Sequence, residues 1–287
     1  MRITVICTCY NEESILPFFL DYYTPMCDEI VFFDGNSTDK TQEIIKSYIG
    51  KSKCNIELRI NHSIGTVDQY QEEMLSTVLN NDRNLSLLYI RNNAWKHLFS
   101  KDLNDWILVV DVDEFLYHST GLRNKLESFK NRGVTIPSIQ GFHMMSYDYP
   151  EYVDGKFLVD TIQSGFWYKE QCKHLVFDSK QIIDMNYKPG CHYCNPTGNV
   201  VYDDEPFCDQ IKIMHYKYIG YHHFLNRELG KYKHLSQHNK ENGFGIHYKE
   251  NISMTTLDFE SIKQSKNYYS NIFDATESHL TRLNTWV

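Results

Sequence analysis

The chain has 287 residues, 41% hydrophobic and 23% charged, a balance that supports a sizeable buried core. A formal net charge of −8 and a pI near 5.9 argue against a sequence-independent nucleic-acid binder, which needs a basic face. No apolar run approaches the length needed to cross a bilayer, and MRITVICTCYNEE turns polar too soon for a secretory signal, so a cytoplasmic protein whose eight cysteines are free thiols is expected.

Residues 2–9 (RITVICTC) form a β-rich apolar run that ends in YNEES. From Ile15 the apolar residues Ile15, Phe18, Phe19 and Tyr22 recur at helical spacing, with Pro17 tolerated in the first turn. EIVFFD (29–34) predicts a second strand and DGNS a turn, while Asp39 with Gln42 resembles a capping box that opens the next helix. CNIELRI (54–60) predicts a third strand, a helix is expected over 69–80, and 85–99 is helical in its second half. WILVVD (106–111) predicts a fourth strand. Strands alternating with helices predict an α/β fold, Rossmann-like, with a mostly parallel central sheet flanked by helices. Beyond Phe115 the expected elements are a short helix over 121–131, a strand pair over 134–145, and β-like runs FLVDTI, KHLVF and QIIDM within 157–185. A loop over 186–206, a strand over 211–218, a helix from Tyr221 to Leu235, a loop over 238–251 and one or two helices from Leu257 complete the chain.

Ligands of such sheets bind beyond the carboxyl ends of the strands. Three polar clusters fall at such ends: Thr8 to Glu12, Asp34 to Asp39, and Asp111 to Glu114. Together they describe one site along one edge. Asp111, Asp113 and Glu114 repel one another, and crowding of that kind suits either a solvated strand end or a hard cation between them. Oxygen ligands favour Mg²⁺ or Mn²⁺. Glu114 points to the other face of an extended segment, where pairing with a basic neighbour is the better role.

TCYNEE, DGNSTDKT after a strand, and the WILVVDVDEF strand end together resemble the glycosyltransferase A fold, in particular the family 2 glycosyltransferases in their D-x-D-E-F form. Members show T-x-x-N-E, D-G-S-x-D-x-T and D-x-D at these places; here the middle motif reads D-G-N-S-T-D, one residue longer. The resemblance is strong over 1–118, patchy to 235 and silent beyond. It implies a catalytic domain over 1–235, with a nucleotide-sugar-binding half at 1–118 and an acceptor half at 119–235, and a C-terminal extension, 236–287, packed on the same domain. It also implies a metal-dependent, inverting transferase of glycan biosynthesis. The partners are a UDP- or dTDP-sugar donor and a glycan or other hydroxyl acceptor, with Mn²⁺ or Mg²⁺ as cofactor.

By the same resemblance Asp34 accepts a hydrogen bond from the nucleobase, and a carboxylate suits the N3–H of uracil or thymine. Thr8, Asn11, Glu12 and Asn36 belong to the base and ribose contacts. Arg91 and Asn92 lie near the donor, and Lys173 and Arg227 are candidate diphosphate clamps. Asp113 is the primary metal ligand, Asp111 binds the metal or the ribose, and His215, in IMHYKY, supplies a third ligand as neutral imidazole. Asp148, in MMSYDYPE, is the first choice for the general base, with His192 in GCHYC as competitor and Glu151 and Glu170 left open.

Four rival readings are weaker. A haloacid-type phosphatase uses D-x-D to open its fold and needs Thr or Val where Phe115 stands. A sugar nucleotidylyltransferase needs a glycine-rich loop after its first strand, and TCYNEE has none. An inactive carbohydrate- or nucleotide-sugar-binding protein has no reason to keep crowded carboxylates. A zinc site at CHYC lacks a second pair, with Cys208 and His215 its nearest completions.

Overall fold

The computed structural model describes residues 1–60, 83–97, 105–233, 241, 243 and 245–275. Strands β1 (Ile3–Cys9), β2 (Glu29–Asp34), β3 (Asn55–Ile60) and β4 (Trp106–Asp111) lie parallel in the order β3-β2-β1-β4. Every residue of β1 and β2 is buried, as expected for strands covered on both faces. Register places Thr8 beside Asp111 and Cys9 beside Asp34, so three strands end together at one edge. The chain forms the expected α/β arrangement.

The later strands are β5 (Glu114–Tyr117), β6 (Ile139–Ser146), β7 (Gly165–Trp167), β8 (Val176–Asp178), β9 (Ile182–Asp184), β10 (Thr197–Gly198), β11 (Ile211–Ile219) and β12 (Tyr268–Tyr269). Antiparallel β8 closes the first sheet beside β4. A second sheet runs β12-β7-β6-β11-β5, with β11 parallel to β6 and antiparallel to β5. WILVVDVDEF spans the junction: Asp111 ends β4 in one sheet and Glu114 begins β5 in the other.

Phe115 plugs the space between the sheets and helix Leu16–Tyr23, with its ring 6.1 Å from Phe19 and 5.0 Å from Tyr216. Tyr23 fixes the same junction, because its hydroxyl donates to Glu114 O and accepts from Leu116 N, both at 2.9 Å. A smaller cluster of Met145, Tyr221, Phe224 and Phe259 packs helix Thr256–Lys263 against helix Tyr221–Lys233. No helix of the described residues is long and apolar enough to cross a membrane.

Several local expectations change. FLVDTI is one helical turn, Leu158–Thr161, because Leu158, Val159 and Ile162 bury together there and packing overrides the β preference of Val and Ile. Only β6 forms within 134–145; Ile136 makes an isolated bridge to Tyr202 instead. Helix Arg83–His97 fills the described part of its segment, first half included, and the 238–251 stretch contains the start of helix Ile246–Ile252. The helix expected over 69–80 lies outside the described residues. Asp39 caps no box with Gln42: its carboxylate accepts from Thr41 N at 2.9 Å and Glu13 N at 3.1 Å, and Gln42 reaches Asp34.

Candidate active site

Thr8, Asp34 and Asp111 stand at the ends of three neighbouring parallel strands, and the loops beyond them are cross-braced. Asn11 and Asn36 adopt left-handed backbones (φ 53° and 63°), a conformation Asn tolerates better than other side-chain-bearing residues. Asn11 Oδ1 accepts from Thr38 N at 2.8 Å, and Asn11 N donates to Ser37 Oγ at 2.8 Å. Asp34, 2% exposed, accepts from Ser37 N at 2.9 Å, Gln42 Nε2 at 2.7 Å and the Ser37 hydroxyl. The loop after β1 is thereby locked to the loop after β2.

The three crowded carboxylates each have a separate cation. Asp111 accepts from Arg91 and, at 3.0 Å, from Thr8 Oγ1. Glu114 is buried against Lys173 Nζ at 2.6 Å and Gln171 Nε2 at 2.7 Å. Asp113 Oδ2 meets Arg227 and His215 Nε2, the latter at 3.0 Å, and Arg227 continues to Glu12 Oε1 at 2.7 Å. Burial works to raise the Asp113 carboxyl, but Arg227 and His215 outweigh it and hold the group well below the usual carboxylate range. Asp111 is likewise lowered, with Arg91 and then Lys173 overcoming its burial. Burial wins at Glu12, whose carboxyl is raised despite Arg227. Like charges thus share a strand end because each is neutralised from elsewhere in the fold.

Asp113 and His215 offer two ligand atoms side by side, and the position next to them already holds a cation, the Arg227 guanidinium. Among the described residues no three His, Cys, Asp or Glu side chains converge as a closed metal cage. One carboxylate with the remaining positions open to phosphate and water oxygens is a usual arrangement for Mg²⁺, and a neutral imidazole can add a nitrogen ligand, so the donor set fits a divalent cation. His215 Nδ1 and Arg227 Nε are buried without a hydrogen-bond partner among the described residues.

Residues 4–182, more than half of the chain, match glycosyl transferase family 2. The chain belongs to that family. Solved structures similar to this family 2 chain include S. aureus TarS 1-349, at 16% identity over 62% of this chain and 47% of that one with a TM-score of 0.38. Mouse xyloside xylosyltransferase 1 in its apo form shows 12% identity over 49% and 52%, with a TM-score of 0.30. Core-mannan synthase A from Aspergillus fumigatus, in a Mn/GDP form, shows 11% identity over 51% and 43%, with a TM-score of 0.28. The chain spans about half the length of these structures. No protein of curated function matches it.

In the family 2 chain most residues expected at the site do gather: Thr8, Asn11, Glu12, Asp34, Asn36, Arg91, Asp111, Asp113, His215 and Arg227 lie at the strand-end edge or pair across it. Lys173 differs. Expected at a diphosphate, it is 5% exposed and spent on Glu114, because Gly141 lets the backbone of Gln171 pass so close that a Cβ there would lie 2.3 Å from its carbonyl carbon. Asn92 also turns away from Arg91: its amide brackets the backbone of Tyr187, accepting at 2.7 Å and donating at 3.1 Å. Asp148 is exposed in the turn after β6, and His192 is exposed with Nδ1 2.7 Å from Glu170 O. Among the described residues no hydrogen bond ties either to Asp111 or Asp113. In CHYC, Cys191 Sγ accepts from Arg91 at 3.8 Å, and His215 serves Asp113 rather than the cysteines.

His143 is a site residue that sequence reasoning missed. It is paired in register with His215, with the ring centroids 4.9 Å apart, and is walled in by Phe166, Tyr168 and Tyr218. Burial, then the neighbouring His215, push its imidazole well below the usual histidine range. Its only signal is a polar residue in the apolar run GFHMMS, and nothing local links that run to IMHYKY.

Proposed function

We propose that this chain transfers a sugar from a UDP- or dTDP-sugar to a hydroxyl acceptor, with inversion at the anomeric carbon and with Mn²⁺ or Mg²⁺ at Asp113 and His215. The observation that carries the reading is the meeting, at the carboxyl edge of the parallel sheet, of Thr8, Asp34 and Asp111 with His215 and Arg227 from the second half of the chain. Bound there, the cation would act as a Lewis acid on the departing diphosphate.

The chain's own groups take the remaining roles. Asp34 receives the base N3–H in exchange for one of its present donors, Gln42 being the more easily released because it is a side chain rather than a loop amide. Asn11 and Asn36 keep the two loops in shape for base and ribose, and Asp111 with Thr8 and Arg91 closes the ribose side. Arg227 turns its unused Nε–H toward the diphosphate. Asp148, on the turn that follows His143 along β6, takes the acceptor's proton, with a donor-bound rearrangement bringing it within reach.

A thermal-shift series with UDP-, dTDP- and GDP-sugars, with and without Mn²⁺, tests the reading, since a ligand of the folded state raises its melting temperature by mass action. The expected result is a rise with UDP- or dTDP-sugars that depends on Mn²⁺. A preference for guanosine donors overturns the base assignment, and an equal response in EDTA overturns the cation.

A further inference from the structure

The same guanidinium that neutralises Asp113 also neutralises Glu12, and its contacts constrain how the site fills. We propose that Arg227 is a resident cation that occupies the divalent-cation position while the donor site is empty, so that metal and nucleoside diphosphate load together; this rests on reading the site as a cation–diphosphate site. Arg227 stands on helix Tyr221–Lys233 and reaches Glu12 Oε1 at 2.7 Å and Asp113 Oδ2, the same oxygen that faces His215 Nε2 at 3.0 Å. One carboxylate oxygen thus serves both the guanidinium and the proposed metal ligand set. The two cations compete for it.

Charge decides the order of events. Glu12 and Asp113 are both largely buried, with side chains 13% and 4% exposed, and each repels the other. A divalent cation arriving alone must displace Arg227 from Asp113 and leave a buried guanidinium with Glu12 as its one remaining carboxylate, next to Lys231, which acts on the same two carboxylates. A diphosphate arriving alone draws Arg227 away and strands two buried carboxylates, a loss comparable to breaking a buried ion pair. Arriving together, they exchange partners: the carboxylates receive the metal, and the guanidinium receives the diphosphate. Arg227 Nε, buried and without a partner among the described residues, is the donor the empty state leaves unused.

A simple diphosphate clamp and a resident cation differ in the sign of one result. Mn²⁺ binding to the full-length chain is measured by electron paramagnetic resonance without nucleotide, and UDP binding is measured separately without metal. Arg227→Met is expected to bind Mn²⁺ about 10-fold tighter than the natural chain and UDP about 10-fold more weakly, within the usual range for coupled sites. UDP should strengthen Mn²⁺ binding in the natural chain, and less so in the variant. Should Arg227→Met fail to fold because Glu12 and Asp113 lose their cation, Glu12→Gln with Arg227→Met removes one buried charge as well and is expected to show the same sign. Metal binding in either variant that is no tighter than in the natural chain overturns the proposal and leaves the donor reading standing. Mn²⁺ that fails to bind with or without UDP, while UDP binds, removes the cation reading and this inference with it.

Discussion

The two halves of the molecule contribute opposite charge to one place. The parallel sheet and its outlets supply the acids, Glu12, Asp34, Asp111, Asp113 and Glu114, all within a regular strand–helix frame. The chain after Gly165 supplies most of their counterions: Lys173, outside any helix or strand, lies 59 residues from Glu114, and Arg227, on helix Tyr221–Lys233, lies 114 and 215 residues from Asp113 and Glu12. Only Arg91, 20 residues from Asp111, comes from the first half. The acidic edge is thus neutralised largely from the second half of the chain, and under the proposed function donor binding would exchange these partners rather than fill a bare acidic hole.

Breaking the most buried of these pairs gives the largest effect. Lys173→Met is expected to destabilise the fold by about 3–5 kcal/mol in urea, because it leaves Glu114 charged and unpaired in the interior. Adding Glu114→Gln should restore most of that loss, and a stable single variant would show that the pair is not what docks the halves. Asp113→Asn removes charge without core volume. It is expected to lower Mn²⁺-dependent turnover by about 100-fold with the circular dichroism spectrum unchanged, the upper end of losses on removing metal-site groups. Full turnover in EDTA would instead mean that the Arg227 guanidinium suffices.

On the acidic side alone, Asp34→Ala is expected to weaken UDP binding by about 1.5–3 kcal/mol in calorimetry, the scale of a hydrogen bond to a charged group. His215→Ala tests the contribution of the second half, and should raise the Mn²⁺ concentration for half activity by about 10-fold. His192→Ala should alter acceptor kinetics and leave that concentration where it is.

The smallest effect is the histidine contribution to pH stability, which comes from the second half. Burial and neighbouring cations depress His143, and they bring His223 to about 4. An unfolded histidine titrates near ~6.5. Between the folded and unfolded values the unfolded chain binds more protons, so stability is full above ~6.5 and falls as pH drops toward 4. Melting temperatures taken from pH 7.5 down to 4.5 should show this slope, and His223→Asn should flatten it. An unchanged slope would mean that His223 is already protonated in the fold.

The legibility of the chain follows the same division. The strands at 29–34 and 106–111 and the helix from Tyr221 were visible because apolar runs and helical spacing are local, and burial of whole strands between helices leaves an unbroken apolar signature. The acids were visible for a similar reason: a strand end followed by D-x-D or Asn-Glu is a short pattern that needs no partner to be noticed. FLVDTI misled because a six-residue apolar run suits a strand and a buried helical turn equally, and only the packing of Leu158 and Ile162 chooses.

By itself, then, the sequence determined the α/β frame and which carboxylates crowd its edge, since both arise from neighbours in the chain. Which cation each carboxylate meets was decided only in three dimensions. Lys173 reaches Glu114 because Gly141 admits the Gln171 backbone, and His143 lies beside His215 because β6 and β11 run parallel in one register. Arg227 spans Glu12 and Asp113 because its helix follows β11 back to the strand ends. Charge pairing is a matter of distance in space, and those distances are set by sheet pairing and helix packing between segments that carry no local record of each other.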